Sequence, residues 1–313
     1  MKNEFEKEFE NFDELKFFTK KFNGFNFFEL AQNFLNNKEL EKIDECATFL
    51  KYKIYEFKGQ KIKKLSYANF CKNRFCQICN WRRSLKNRTI IKKIFNSMLI
   101  EYKLKLRFIF VTFTIKNCSI TSLKENINKM NKAFTKMIKF KRFKNSILGY
   151  IKVLEVPPQK DNKNYFNPHF HCIFAVSTSY FNSSLNLYLN TQDFRELWQK
   201  VLDVDYLPVV NVKIIKKNKK KNLNEINSAI FEIAKYQLKY TDLNDVSIDV
   251  FEKYYYSLKN VRNISFGGIL KKYKQNIKYD EDDLIYIDET SQVKGNFLGE
   301  ISYKLKNGKY III

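Results

Sequence analysis

The sequence predicts an α+β fold, with a central antiparallel sheet flanked by helices and a cysteine-rich module before it. Three observations carry that expectation. Between residues 104 and 240, β-branched and aromatic segments alternate with segments of helical spacing. Two of the strand segments follow one another across a modest loop, which favours a hairpin and antiparallel pairing. Four of the six cysteines fall within 46–83.

Residues 1–45 are polar and charged, with short helical patches such as "FFELAQNFL". After the cysteines, "RSLKNRTIIKKIFNSMLIEY" repeats Leu85, Ile90, Ile91, Ile94 and Met98 at helical spacing. "LRFIFVTFTI" reads as a buried strand. "SLKENINKMNKAFTKMI" sets Leu123, Ile127, Met130, Phe134 and Met137 on one helical face. "SILGYIKVLEV" is a second strand, ended by Pro157 and Pro158. "HFHCIFAVS" is a third, and "TQDFRELWQKVL" is a helix with Thr191 and Asp193 near its start. "PVVNVKII" is a fourth strand, and "LNEINSAIFEIAKYQLKY" a long helix after a basic run. The last stretch mixes a helix-like "VFEKYYYSLKNV" with strand-like "DLIYIDE" and "YKLKNGKYIII". The expected division is a polar extension at 1–45, a cysteine module with a basic helix at 46–100, the sheet domain at 101–250, and an α/β extension at 251–313. No internal repeat is visible.

A chain of 313 residues with 44% hydrophobic and 16% aromatic content is long and apolar enough for a real core. Its formal charge of +24 and pI near 9.6 favour a polyanionic partner, nucleic acid first. The charged N-terminal stretch does not read as a signal peptide. No apolar run approaches the ~20 residues that span a bilayer. A cytoplasmic location is therefore expected, where cysteines bind metal or stay free more often than they pair.

Both histidines of the chain, His169 and His171, stand two apart in a strand segment. Residues so spaced point to one face, so two imidazoles sit side by side and could hold a divalent cation once oxygen ligands join. Glu155 ends the preceding strand, and a hairpin would bring it beside the pair. Two polar residues on a solvated strand face are the bland alternative. Glu232 and Tyr236 lie one turn apart on the later helix, with Lys239 on the same flank and Lys235 close by. Lysines and a metal would favour attack by the phenolate, although with 19 tyrosines the letter alone says little.

Cys71, Cys76 and Cys79 form a C-x4-C-x2-C run, and Cys46 upstream could complete four thiolates. Structural zinc is the leading reading, with an iron–sulfur site or free buried thiols as alternatives. Arg74, Arg82 and Arg83 surround the run and could face phosphates. Core packing is the simpler reading for Cys118 and Cys172.

"CATFL", "ANFCKNRFCQICNWRR", "VTFTIKN", "NPHFHCIFAV" and "EIAKYQLKY", in this order, resemble rolling-circle plasmid replication initiators of the HUH endonuclease superfamily. The resemblance covers about 45 to 280. It implies that 101–250 is a nicking domain whose His169 and His171 bind Mg²⁺ or Mn²⁺, with Glu155 assisting. It implies that Tyr236 attacks the scissile phosphorus and stays on the DNA 5′ end, and that Glu232 activates water for the terminating cleavage. Its partners would be plasmid origin DNA, a host helicase and polymerase, and a second subunit, with no membrane. A non-enzymatic zinc-dependent regulator would explain charge and cysteines but leave the histidines and the tyrosine helix idle. A relaxase or transposase would share the chemistry; relaxases usually carry a third histidine, and transposases of this type lack the cysteine module.

Overall fold

The computed structural model describes residues 13–22, 27–102, 105–215, 228–230, 233–234, 243, 246–277, 284–285 and 295–313. In chain order the first elements are α1 (Asp13–Phe22), α2 (Phe27–Ala31), α3 (Asn37–Asp44), β1 (Phe49–Phe57), β2 (Gln60–Ala68) and α4 (Gln77–Glu101). Then come β3 (Leu106–Thr114), β4 (Cys118–Ser119), α5 (Leu123–Met137), α6 (Lys141–Ser146), β5 (Gly149–Glu155), β6 (Tyr165–Phe166) and β7 (His169–Ser177). The rest are α7 (Thr191–Leu202), β8 (Val210–Ile215), α8 (Ile248–Leu258), β9 (Ile264–Gly267), α9 (Gly268–Gln275), β10 (Asn296–Lys306) and β11 (Lys309–Ile312). The chain divides into two compact units, Met1–Thr89 with Tyr279–Ile313, and Ile90–Lys278.

The second unit carries a five-stranded sheet in the order β8-β3-β7-β5-β9, every neighbouring pair antiparallel. The expected central antiparallel sheet is present, and β7 with both histidines is its middle strand. Alternation along β7 sends Phe170, Cys172 and Phe174 to one face, where they are fully buried. Phe134 of α5 and Phe194 and Trp198 of α7 meet them there, with ring centroids 5.8 to 6.2 Å apart. The same helical faces read from the sequence make this layer: Leu123, Ile127, Met130 and Met137 are all buried. Helix α7 opens on a capping box, in which Asn190 accepts from the Asp193 amide and Asp193 accepts from the Asn190 amide.

Helix α8 and the turn before the histidines are tied together. Tyr254 donates to the Val156 carbonyl at 2.9 Å, and its ring stacks on Phe166 at 5.0 Å. Gly268, at φ +56, lets the turn into α9 press against β5; a Cβ there would stand 2.2 Å from the Leu148 carbonyl oxygen.

Two expected boundaries move. Residues 251–277 are not part of a separate extension: β9 pairs with β5 and covers an edge that 101–250 alone would leave open. Nor is 1–45 only an extension. Phe17, Phe27, Ala31, Leu35 and Ile43 are buried, so these helices need the rest of their unit to shed water.

The first unit holds a four-stranded sheet in the order β11-β10-β1-β2. Its inner face sends Leu50, Tyr52, Ile54, Ile301 and Tyr303 into a core shared with Phe17 and with Cys46, Cys76 and Cys79. Strands β1 and β2 were not anticipated from the sequence. The segment "DLIYIDE" lies outside the described residues except for Leu284 and Ile285.

Candidate metal centres

The register of three strands builds the first centre. His169 stands opposite Glu155 on β5 and Thr114 on β3, and His171 stands opposite Val153 and Thr112. Glu155, His169 and His171 therefore share one face of the sheet. Glu155 Oε2 lies 2.8 Å from His171 Nε2 and 3.2 Å from His169 Nε2, and the two Nε2 atoms are 3.1 Å apart. All three side chains are between 10% and 13% exposed, enough for one open side.

Hydrogen bonding fixes what those atoms can do. His169 Nδ1 lies 2.9 Å from the Asn167 carbonyl oxygen, which can only accept, so Nδ1 carries the proton and Nε2 presents a lone pair. A lone pair then faces a carboxylate oxygen and another imidazole nitrogen, and only a cation or an added proton makes that cluster favourable. Three donors about 2.1 Å from an ion lie about 3.0 Å apart at adjacent octahedral corners and about 3.4 Å apart at tetrahedral ones. The observed 2.8 to 3.2 Å matches the octahedral spacing. The residues fit a divalent ion and leave further positions for other oxygens.

Two supporting residues escaped the sequence reading. Asn167 orients His169, and its own amide donates to the Pro157 carbonyl at 2.9 Å. Thr112 Oγ1 meets His171 Nδ1 at 3.1 Å. Such partners hold a ligand's ring angle and tautomer. The "VTFTI" alternation hinted at Thr112, because a threonine between the buried Val111 and Phe113 points to the opposite face of the strand, but not at its partner.

The second centre lies in the first unit. Cys46, Cys71, Cys76 and Cys79 converge within 4.8 Å of one another. The Sγ separations are 3.5 Å for Cys46–Cys79, 3.6 Å for Cys71–Cys79 and 3.6 Å for Cys46–Cys76. These are far from the ~2.05 Å of a disulfide and close to the ~3.8 Å edge of a four-thiolate tetrahedron with bonds of about 2.3 Å. Hydrogen bonds with the other three sulfurs, Cys46 first, pull the Cys76 thiol well below its usual range. The four residues fit a tetrahedral metal ion. Cys118 and Cys172 lie apart from this group, and burial pushes both thiols up, Cys118 to about 11.

The arginines beside the cysteines behave differently from the expectation. Arg82 is buried, and its guanidinium donates to the Leu284 and Ile285 carbonyls at 2.9 Å each. It also lies against the Phe17, Phe70 and Trp81 rings. It is a brace within its unit, its guanidinium engaged by carbonyls and rings. Arg83 donates to the Lys72 carbonyl, and Arg74 lies over the Phe75 ring. Glu232, Lys235, Tyr236 and Lys239 fall outside the described residues. On the same segment Ile230, Ile233 and Ala234 are buried.

The family described as "Replication protein" matches residues 62–311. This chain belongs to that family. Curated relatives agree. "Protein rep" of Lactiplantibacillus plantarum is 34% identical over 268 residues, covering 83% of this chain and 82% of the relative. "Protein rep" of Lentilactobacillus hilgardii is 32% identical over 261 residues, 82% of this chain and 81% of the relative. "Protein rep" of Bacillus amyloliquefaciens is 31% identical over 283 residues, covering 84% and 81%. No solved structure matches the chain at a significant level. The resemblance to plasmid replication initiators seen in the sequence therefore holds for this replication protein. Among its described residues, no helix is long and apolar enough to cross a membrane.

Proposed function

We propose that this replication protein starts rolling-circle replication of a plasmid by nicking one strand of the origin at the Glu155–His169–His171 centre. The single observation that carries the reading is the convergence of those three donor atoms, none more than 3.2 Å from another, on the middle of the sheet. The three residues hold Mg²⁺ or Mn²⁺. When bound, such an ion polarises a non-bridging oxygen of the scissile phosphate. Asn167 and Thr112 keep the two imidazoles in the ligating tautomer.

Tyr236 is the nucleophile. Its phenolate oxygen forms a bond to phosphorus while the bond from phosphorus to the 3′ oxygen breaks, leaving the chain on the DNA 5′ end and a 3′-OH for the polymerase. Lys239 and Lys235 favour the phenolate and the nearby phosphates. Glu232, four residues before Tyr236, takes the proton of a water that cleaves the regenerated origin in the terminating step; the 3′-OH released there then bonds to the phosphotyrosine phosphorus, displacing the tyrosine oxygen and closing the circle. Zn²⁺ at Cys46, Cys71, Cys76 and Cys79 is structural, and Arg74 and Arg83 lie beside the bound origin. The chain works in the cytoplasm with a host helicase and polymerase, and a second copy of the chain can assist. A purely regulatory DNA binder has no use for a carboxylate and two imidazoles brought to one point.

The test is direct. Labelled single-stranded origin DNA with Mn²⁺ should yield a covalent adduct that protease removes and that EDTA prevents. Intact DNA under those conditions would sink the reading.

A further inference from the structure

Among the described residues, the outer face of the four-stranded sheet presents exposed and half-buried side chains. Because Leu50, Tyr52 and Ile54 point into the core, Phe49, Lys51, Lys53 and Tyr55 point the other way. The register assembles the rest of that surface. Lys51 stands opposite Tyr67 on β2 and Ser302 on β10, and Lys53 stands opposite Lys64 and Glu300. Phe49 stands opposite Lys304, which in turn faces Ile311. Ring contacts agree with this placement: Phe49 meets Tyr67 edge-on at 5.8 Å, and Tyr55 meets Phe297 at 5.8 Å. Lys64 Nζ lies 4.7 Å from the Tyr55 ring centre.

Two features of this face point to an occupant. Tyr67 is 53% exposed and Phe297 57% exposed, a poor use of large rings unless something stacks on them. The charge is one-sided as well. Lys51, Lys53, Lys64, Lys304, Lys306 and Lys309 stand on this face against Glu300, which is held by Lys51 at 2.5 Å. A protein partner of ordinary composition would not need rings interleaved with ammonium groups. A chain of unpaired bases and phosphates does, because bases stack on the rings while lysines follow the backbone. Duplex DNA offers the same phosphates, but its bases are already stacked and closed to the rings.

We infer that the outer face of the β11-β10-β1-β2 sheet binds single-stranded DNA, with Tyr67 and Phe297 as stacking platforms. The surface does not use the cysteines or arginines of the cysteine module. The inference rests on the reading of the chain as an origin-nicking initiator, which makes unpaired strand available to it.

The experiment uses the full zinc-loaded chain and fluorescein-labelled oligothymidylate, with anisotropy recorded across a salt series. The double variant Tyr67→Ala, Phe297→Ala should weaken oligothymidylate binding roughly tenfold or more. Lys53→Gln with Lys304→Gln should flatten the salt slope by about 0.7 for each lysine removed. Zinc content and melting temperature should match the unmodified chain, since all four side chains lie on the outer face. Unchanged oligothymidylate affinity in the ring variant overturns the inference. An equal loss on duplex of the same length overturns it too, and so does a ring variant that changes only self-association. Adduct formation on a short origin oligonucleotide, measured in parallel, separates the two readings. Ring-dependent binding without any adduct supports this face and sinks the nicking reading; an adduct with ring-independent binding does the reverse.

Discussion

Thr112 Oγ1 lies 3.1 Å from Nδ1 of His171, and the pairing of β3 with β7 sets the two residues directly opposite each other. The hydroxyl therefore governs which nitrogen of His171 is left to ligate. Thr112→Val keeps the shape and removes the partner. It should lower Mn²⁺ affinity about 10- to 100-fold while leaving the melting temperature of the metal-free chain nearly unchanged. Calorimetric titration with Mn²⁺ checks this, and an affinity equal to that of the parent would mean that packing, as against the Phe110 ring 5.5 Å away, holds the imidazole without the hydroxyl.

Glu155→Gln should cost more. The amide keeps the volume but removes a negative charge that lies within 3.2 Å of both imidazoles. Stabilisation by saturating metal, about 2.7 kcal/mol at a hundred times the dissociation constant, should disappear at the concentration that saturates the parent. Thermal unfolding with and without Mn²⁺ reads the difference. A variant that the ion still stabilises would remove Glu155 from the ligand set.

Zinc at about one per chain is expected from elemental analysis, and Cys76→Ser should lose it. Because Cys46, Cys76 and Cys79 belong to the core of their unit, the loss should destabilise that unit by several kcal/mol and expose Phe17 and Tyr52 to solvent. Iron with visible absorbance, or no metal at all, would contradict a structural zinc site.

Tyr236→Phe should abolish the covalent adduct and leave DNA affinity within about twofold, because only the attacking oxygen is removed. An adduct that persists would move the nucleophile to another tyrosine, Tyr240 being the next to replace.

Lys152 gives a pH signature. It is buried beneath α5, donates to Asn131 at 2.7 Å and lies 4.2 Å from the Phe170 ring centre. Burial lowers its ammonium to about 8, partly opposed by the neighbouring Cys172 sulfur. The unfolded chain then binds more protons than the folded one between about 8 and the ordinary 10.5, so stability rises with pH across that window. Below it the cost of the buried charge is fully present, on the order of 3 kcal/mol. Lys152→Met should lack the rise, as denaturant melts at pH 7.5 and 10 would reveal; the same rise in the variant would assign it to another group.

The convergence of Glu155, His169 and His171 was largely legible because its signals are local. His169 and His171 are two apart on a strand, and Glu155 ends the strand before them, so period two and one hairpin bring all three together. Thr112 was not legible, since its role depends on how β3 slides against β7, and a one-residue slip would turn it to the other face. Strands β1 and β2 hid for a related reason. "FLKYKIYEF" alternates, but its polar positions are lysines and its partner β10 lies more than two hundred residues away. Arg82 misled because an arginine beside cysteines in a basic chain reads as a phosphate ligand; its real acceptors, the carbonyls of Leu284 and Ile285, come from the far end of the chain.

That distant pairing sets an order of assembly. All five strands of the histidine-bearing sheet have been synthesised by residue 267, so that unit can close while translation continues. β1 and β2 emerge earlier, yet the edge of β1 stays unpaired until Asn296–Lys306 appears and lies beside it. The unit that begins the chain is therefore the last to be completed, reversing the usual progress of folding behind the ribosome. A chain interrupted before β10 would carry an exposed strand edge and half a sheet, with the histidine-bearing sheet already complete. A message cut short would thus yield the Glu155–His169–His171 cluster intact and the other sheet left at two strands of four.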